Sequence, residues 1–345
     1  MIEKKTVNSP KGEITIYKIT NNSGASIELS SLGAGLLSVV VPDKNGKLDD
    51  VVIGYANPCD YLNDGPCAGK VPGRYANRIA KGHLKIGDKT YQLAINNGPN
   101  ALHGGPEGFQ NQIWKSEVKD GKVVFSYFSK NGEESYPGNL IANASYSWSE
   151  NNELTLEFKA VSDENTAINL TNHTYFNLKG ENVGNALDHV LKLACSKYLP
   201  TDDTLIPTGD FASVVGTPMD FTSPKKLGKD IKGDFPALNY GKGYDNCWVV
   251  DDYDGTLKEV AILEEPNSGR AVHISTTQPA AQVYTGNWLT GSPKGKSGRD
   301  YQDYDGVAIE CQGMPDAPNN PNFPSQFLYP GDIYSHIIKF AFKTI

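Results

Sequence analysis

The chain has 345 residues and a formal net charge of −8, from 32 basic and 40 acidic residues. Its 35 glycines and 21 prolines are spread along the whole sequence, which favours many short strands and turns over long helices. The acidic balance argues against nucleic acid or an anionic membrane as a partner. We therefore expect a β-rich globular protein that is long enough to bury a large core.

The N-terminal residues 1–20 contain lysines but no apolar stretch after them, so no signal peptide is predicted. The longest nearly apolar run, about residues 32–41, is too short to span a bilayer, and no membrane partner is expected. The five cysteines are an odd number without the spacing of a disulfide framework. A reduced, cytoplasmic protein is therefore the expectation.

The strand pattern begins early. Residues 12–19 alternate between apolar and polar side chains, as in a half-buried strand. Asn45-Gly46 and Gly87-Asp88 are hairpin turn signals between β-type segments. Further strands are predicted near residues 122–128, 143–149, 153–161, 188–194, 258–264, 270–277, 280–285, 306–311 and 333–342.

Helical periodicity is missing from the sequence, because no window of eleven or more residues has a convincing 3.6-residue period with caps. The proline-rich stretches 199–240 and 313–330 are interpreted as long loops, where binding residues often lie. No repeat or linker divides the chain. The prediction is an all-β protein, one large antiparallel β-sandwich that forms a single domain over residues 1–345.

The first candidate functional segment is NLTNHTYFNL, residues 169–178, in which His173 lies among asparagines and aromatic residues. Buried amides and a histidine need hydrogen-bond partners, and a polar ligand would provide them. A core histidine held by neighbouring asparagines is the alternative interpretation.

Two glycine-rich segments follow the same pattern. GRYANRIAKG places Asn77 and Arg78 just before a strand, and NALHGG places His103 before two glycines that would let the backbone approach a ligand. Structural alternatives are open for each: Asn77 closing a turn, Arg78 pairing with an unrelated acid, and His103 bonding carbonyls of the loop.

Two carboxylates complete the set of candidates. Asp245 lies beside aromatic residues in GKGYDNCW, and Glu310 ends an apolar strand, where a charge is unfavourable without a function or a partner. Asp245 capping a turn and Glu310 at an exposed strand end are the alternatives. Because strand neighbours face opposite sides, Cys247 and Cys311 are expected to turn into the core.

Six long motifs, in this order and at these separations, resemble the galactose mutarotase (aldose 1-epimerase) family. They are GRYANRIAKG, NALHGGPEGFQ, NHTYFNLKG, GYDNCW, TTQPAAQVYTGNWL and AIECQGMPDAPNNPNFP. The resemblance extends from about residue 10 to about residue 343. It implies a β-sandwich of the type called a supersandwich, with a shallow sugar site on one sheet and no cofactor or metal.

The resemblance also implies residue roles. Glu310 is similar to the family's catalytic base and His173 to its catalytic acid. The positions that resemble its sugar-contacting residues are Asn77, Arg78, His103, Asp245 and Gln282, and Tyr175 is expected to line the same pocket as a substrate-binding residue.

The expected reaction is the interconversion of the α and β anomers of an aldohexose such as galactose or glucose. Ring opening removes a proton from the anomeric hydroxyl and adds one to the ring oxygen, so it needs a base and an acid, expected on opposite sides of the sugar. The Glu310 carboxylate is expected to hold the pKa of His173 up. The partner is then a small sugar, and the protein a monomer or homodimer.

Three alternatives are open from the sequence. A sugar-binding module would need Asp245 and Arg78 but neither Glu310 nor His173. His103, His173 and Glu310 could form a two-histidine, one-carboxylate metal site. An enzyme for hexose 6-phosphates would need cationic groups at the far end of the sugar, and no phosphate motif is identified.

Overall fold

A computed structural model of the protein describes residues 1–62 and 64–345. Every pairing between its named strands is antiparallel, for example that of Glu153–Ser162 with Tyr334–Thr344. One α-helix of six residues, Pro236–Gly241, begins with a proline at its first position and is the only α-helix in these two ranges. Within the same residues no helix is long and apolar enough to cross a membrane.

The strands are numbered in chain order. The first nine are β1 (Ile2–Ser9), β2 (Gly12–Thr20), β3 (Ser26–Ser30), β4 (Gly35–Pro42), β5 (Leu48–Asp50), β6 (Arg78–Ile79), β7 (His83–Ile86), β8 (Lys89–Gln92) and β9 (Ala101–Leu102). The next nine are β10 (Lys115–Lys119), β11 (Lys122–Ser129), β12 (Leu140–Trp148), β13 (Glu153–Ser162), β14 (Thr166–Ala167), β15 (Tyr175–Phe176), β16 (Val190–Leu193), β17 (Lys197–Tyr198) and β18 (Ala212–Ser213). The remaining strands are β19 (Lys225–Lys226), β20 (Asp245–Val249), β21 (Lys258–Glu265), β22 (Arg270–Thr276), β23 (Ala280–Tyr284), β24 (Val307–Gln312), β25 (Phe327–Leu328) and β26 (Tyr334–Thr344).

Three sheets form the body of the fold. The largest has the order β10-β11-β12-β13-β26-β22-β21-β16-β19. A second sheet, with the order β15-β24-β23-β20-β17-β18, is called the site sheet below, and the third has the order β1-β2-β3-β4-β5. The largest sheet joins strands that are far apart in sequence, since β13 pairs with β26.

The core lies between the largest sheet and one face of the site sheet. Leu156 and Phe158 alternate with exposed or half-buried neighbours, and with Phe340 they share one buried apolar cluster that includes Val283 and Ile309 of the site sheet. Because strand side chains alternate, the residues between those of the site sheet face the other way. The opposite face of the site sheet is therefore free to carry polar groups.

The structure confirms the predicted all-β antiparallel architecture and both hairpins: Gly46 has φ +79° in the turn between β4 and β5, and Gly87 has φ +59° in the turn between β7 and β8. Strand β1 was not predicted because its side chains are mostly exposed and carry little apolar alternation. Strand β20, which begins at Asp245 in the GYDNCW motif, was not predicted either.

Candidate active site

A cavity of about 440 Å³ opens on the polar face of the site sheet. The residues predicted from the sequence converge there from distant parts of the chain. Those that line it are Asn77, Arg78, His103, His173, Tyr175, Asp245 and Glu310. Gln282 is not part of the lining and lies behind Asp245, to which its amide nitrogen donates a hydrogen bond of 2.6 Å.

Glu310 faces the cavity because of strand alternation in β24. Val307, Ile309 and Cys311 belong to the main apolar core, so Glu310 points to the opposite side. Its direct cross-strand neighbour is Gln282 of β23. The side chain of Glu310 is only 2% exposed, and a carboxylate at such a position needs partners.

His173 lies against Glu310. The distance from His173 Nε2 to Glu310 Oε1 is 3.5 Å. The imidazole ring also packs near the rings of Tyr175, at 4.8 Å between centroids, and His103, at 5.4 Å. The acid and base candidates are thus side by side, which corrects the expectation that they flank the sugar from opposite sides.

Burial shifts the pKa values of both groups toward their neutral forms. It raises the pKa of Glu310 well above its usual value, with Asp245 raising it further and Arg78 lowering it. Burial lowers the pKa of His173 to about 4, opposed by a backbone hydrogen bond and by Asp245. The expectation that the Glu310 carboxylate would hold the pKa of His173 up was wrong, because burial of the imidazole lowers this pKa and burial also favours the neutral form of Glu310.

Arg78 and Asp245 form a second, buried group in the cavity wall. Arg78 Nη2 donates to Asp245 Oδ2 at 3.3 Å, and Arg78 Nε donates to Asn97 Oδ1 at 3.0 Å. With the bond from Gln282, both oxygens of Asp245 are engaged, so its carboxylate is fixed in orientation. A group fixed in this way suits the recognition of a sugar hydroxyl.

The state of His103 follows from its backbone contacts. The backbone N–H of Asn77 donates to His103 Nδ1 at 3.1 Å, so the proton of the neutral ring is on Nε2. Burial, followed by the charges of His173 and Arg78, lowers the pKa of His103 well below its usual value. His103 is therefore a neutral hydrogen-bond donor.

The glycines after His103 have a different role from the one predicted. A Cβ atom on Gly104, which has φ +79°, would lie 1.9 Å from the carbonyl oxygen of Gly73. Gly104 thus allows two backbone segments to approach each other, whereas the sequence suggested an approach to a ligand. Neither Gly104 nor Gly105 lines the cavity.

The two cysteines beside the carboxylates are both buried, as predicted, but only Cys311 turns into the main core. Cys247 lies opposite Gln282 in the sheet, and Gln282 lies opposite Glu310, so the three share one face. The prediction failed for Cys247 because it is two residues from Asp245, a spacing that keeps both on the same side of a strand.

Sequence reasoning missed several residues of the cavity wall. Tyr284 and Trp288 stack with an interplanar angle of 20°, and Trp288 is half exposed at the edge of the cavity. Alternation along β23 could have identified Tyr284, which is two residues after Gln282. Thr204 and its neighbours lie in the stretch 199–240, which was predicted to be a long loop of the kind that carries binding residues, but no motif identifies them individually.

The metal-site alternative finds no support in the geometry. In residues 1–62 and 64–345 no group of three or more His, Cys, Asp or Glu side chains is arranged to hold a metal ion. His103 Nδ1 already accepts a backbone hydrogen bond.

Comparisons with known proteins agree with this fold. Residues 15–341 match the family described as Aldose 1-epimerase. The chain is 41% identical to the galactose mutarotase of Homo sapiens over 338 residues, which cover 97% of this chain and 96% of that protein. It is 34% identical to the aldose 1-epimerase of Escherichia coli (strain K12), covering 99% of both. The crystal structure of an aldose epimerase homologue from C. elegans superposes with a TM-score of 0.88 at 30% identity, covering 99% of this chain and 100% of that one.

The chain belongs to the aldose 1-epimerase family. It is an isomerase that interconverts the α and β anomers of aldoses.

Proposed function

We propose that the cavity binds one hexose, such as galactose or glucose, and that Glu310 and His173 catalyse its ring opening and closure. The observation that carries this proposal is the 3.5 Å contact between His173 Nε2 and Glu310 Oε1, both buried, in the wall of the cavity. A buried acid–base pair with displaced pKa values is characteristic of catalytic sites.

The side-by-side arrangement suits the reaction. The anomeric hydroxyl and the ring oxygen are bonded to the same carbon, so adjacent acid and base groups reach both. Glu310 takes the proton of the hydroxyl, the C1–O5 bond breaks, its electron pair goes to O5, and O5 takes the proton of His173. Rotation about the C1–C2 bond and the reverse transfers then close the ring on either face. Each positioned proton transfer contributes roughly 10²–10⁴ in rate.

The reactive pair needs Glu310 ionised and His173 protonated, although burial favours the neutral form of each. The neutral pair and the charged pair each hold one proton, so they interconvert when this proton moves between Glu310 and His173. Arg78 lowers the pKa of Glu310 and Asp245 raises that of His173, and both effects favour the reactive form, whereas the rise that Asp245 causes in the pKa of Glu310 opposes it.

The remaining predicted residues are assigned to sugar binding. Asp245 and Arg78 bind hydroxyl groups, Gln282 orients Asp245, and neutral His103 donates from Nε2. Asn77 and Tyr175 are the other residues assigned to sugar binding. A site that hydrogen-bonds hydroxyls discriminates against sugars that lack them, because its buried groups would be unpaired.

We also propose one domain over residues 1–345, supported by the uninterrupted family match over residues 15–341. All five cysteines are free and four of them are buried, which supports a reducing compartment such as the cytoplasm. The protein is expected to be a monomer or a homodimer, and light scattering distinguishes these two oligomeric states.

Polarimetry tests the function directly. Freshly dissolved α-galactose and α-glucose should reach their usual equilibrium rotation faster with the protein than without it, and the final rotation should be unchanged. A non-catalytic sugar-binding module would leave the relaxation rate equal to that of the buffer control for the whole panel of aldoses, and that result would refute the proposal.

A further inference from the structure

The backbone on both sides of the His173 imidazole is held by one neighbouring segment, residues 64–70. The N–H of His173 donates to the carbonyl of Lys70 at 2.9 Å, and the N–H of Gly69 donates to the carbonyl of His173 at 2.8 Å. His173 itself lies outside the named strands, just before β15, so these two bonds replace sheet pairing at this position. The place of the imidazole therefore depends on where residues 64–70 lie.

The 64–70 segment is closed by a buried ion pair between its two ends. Lys70 Nζ contacts Asp64 Oδ1 and donates to the carbonyl of Tyr61 at 2.7 Å. The other oxygen of Asp64 accepts the N–H of Ala68 at 2.7 Å. The side chains of Lys70 and Asp64 are 1% and 0% exposed. The ion pair thus holds the two ends of the 64–70 segment together in the protein interior.

The methylene stem of Lys70 is also closely packed. A Cβ atom on Gly33, which has φ +64°, would lie 3.0 Å from two carbons of this stem, so the backbone there approaches the lysine as closely as a glycine allows. A buried ion pair seldom stabilises a fold more than apolar residues of the same size would. Its place behind His173 suggests a different purpose.

We propose that the Lys70–Asp64 ion pair is a positioning device for His173, which fixes the 64–70 segment against the backbone of His173 and so sets the imidazole beside Glu310. The inference rests on the proposed acid role of His173 and assigns two further positioning residues to the same reaction. Neither Lys70 nor Asp64 lines the cavity, although Gly65 and Pro66 between them do, so the ion pair acts through the segment that it closes and not by contacting the sugar itself.

The charge of Lys70 reaches the imidazole as well. It lowers the pKa of His173, while Asp245 raises it. The other titratable or charged groups around these residues are Glu310, His103, Arg78, Tyr175 and Tyr284 at the imidazole and Tyr55, Tyr61 and Cys67 at the ion pair. Burial raises the pKa of Asp64 to about 6 against the pull of Lys70, so the ion pair is intact above that pH.

The test is the double variant Lys70→Met/Asp64→Asn, which removes both charges while keeping the side-chain sizes and an oxygen for Ala68. A matched control is Lys225→Met/Asp230→Asn, because Lys225 likewise contacts an aspartate, at 2.9 Å, and a backbone carbonyl, at 2.6 Å, away from the cavity. For each protein, thermal unfolding, kcat and KM for galactose, and the NMR titration of the His173 C2 proton are measured. A His173→Asn spectrum assigns that proton.

In the Lys70→Met/Asp64→Asn protein, kcat should fall about 10- to 100-fold while KM changes little, as expected for a misplaced catalytic group. The pKa of His173 should rise, because of the two charges removed it is that of Lys70 that lowers this pKa in the parent protein. The Lys225 control should keep the parent kcat and the parent His173 titration.

Three results would overturn the proposal: a parent-like kcat, a fall in kcat with an unchanged His173 titration in a folded protein, or an equal fall in the control. The NMR titration does not depend on turnover. A parent protein without mutarotase activity would therefore refute the proposed function, while the titration would still decide whether Lys70 and Asp64 govern His173.

Discussion

Glu310 and His173 illustrate how much a single side chain depends on its surroundings in this protein. Their 3.5 Å contact was not predicted from the sequence, and burial displaces both pKa values toward neutrality. The sequence did indicate that Glu310 is unusual, because it follows Val307 and Ile309 in an apolar strand. It could not show which group would meet the carboxylate, since that depends on packing between distant segments.

The pH dependence of turnover should reflect the pair as a unit. Activity needs one shared proton, so the rate should fall at low pH when a second proton is bound and at high pH when the shared proton is lost. Asp245 raises the pKa values of both Glu310 and His173. In Asp245→Asn the alkaline limb of the kcat profile should therefore move to lower pH. An alkaline limb that stays in place or moves upward would contradict this assignment.

Asp245 should also contribute to sugar affinity. Asp245→Ala removes the partner of Arg78 and Gln282, and a loss of binding free energy on the order of 1–3 kcal/mol is expected for buried groups left unpaired. Calorimetry with galactose measures the change, with Asp303→Ala, outside the cavity lining, as the control. Parent-like affinity in Asp245→Ala would show that the carboxylate does not bind the sugar.

At the scale of elements, alternation was the reliable signal and its absence explains the failures. Alternation in the sequence identified β2, although four consecutive residues of that strand are buried, and the Gly87-Asp88 turn signal identified the hairpin of β7 and β8. Alternation missed β1, which is mostly exposed, and β20, where all but the last residue are buried and the pattern disappears. The placement of Trp288 beside Tyr284 depends on a turn after β23 that the sequence does not specify.

Gly104 follows His103, a residue of the cavity wall, and its backbone lies close to that of Gly73. Gly104→Ala places a Cβ 1.9 Å from the carbonyl oxygen of Gly73, so a clash of about 1–3 kcal/mol should add to the strain of φ +79°. Gly87→Ala is the matched control, since it has φ +59° but no atom within 4 Å and should cost only about 1–2 kcal/mol. Urea unfolding of both variants gives the two values. Equal losses would mean that the close approach at Gly104 is unimportant.

For the whole molecule, the antiparallel sandwich was predictable but the sheet order was not. Pairings such as β13 with β26 and β15 with β24 join segments that are more than a hundred residues apart, and no local pattern specifies them. The cavity exists because of these pairings. Its chemistry was therefore recognised from motifs, while its geometry required the fold.

His189 should make the protein less stable as the pH falls. Burial lowers the folded-state pKa of His189 to about 4. A lowered pKa contributes stability that is complete above the unfolded value, about 6.5, and is lost as the pH falls toward the folded value. His189 should contribute roughly 3 kcal/mol to this loss.

His189 allows a clean test because it is fully buried and outside the cavity lining. The free energy of unfolding of His189→Gln, measured from pH 7 to pH 4, should fall less steeply than that of the parent protein. Identical slopes in the two titrations would show that His189 is not held neutral by burial.

The central claim is that Glu310 and His173 are one acid–base pair. The most direct measurement is kcat and galactose affinity for Glu310→Gln, His173→Asn and the double variant, with Glu265→Gln as a control for a buried glutamate outside the cavity lining. Each single variant should bind galactose but lose most of its turnover, and the double variant should lose little more, because the groups act on one event. Near-parent turnover in either single variant would contradict the account.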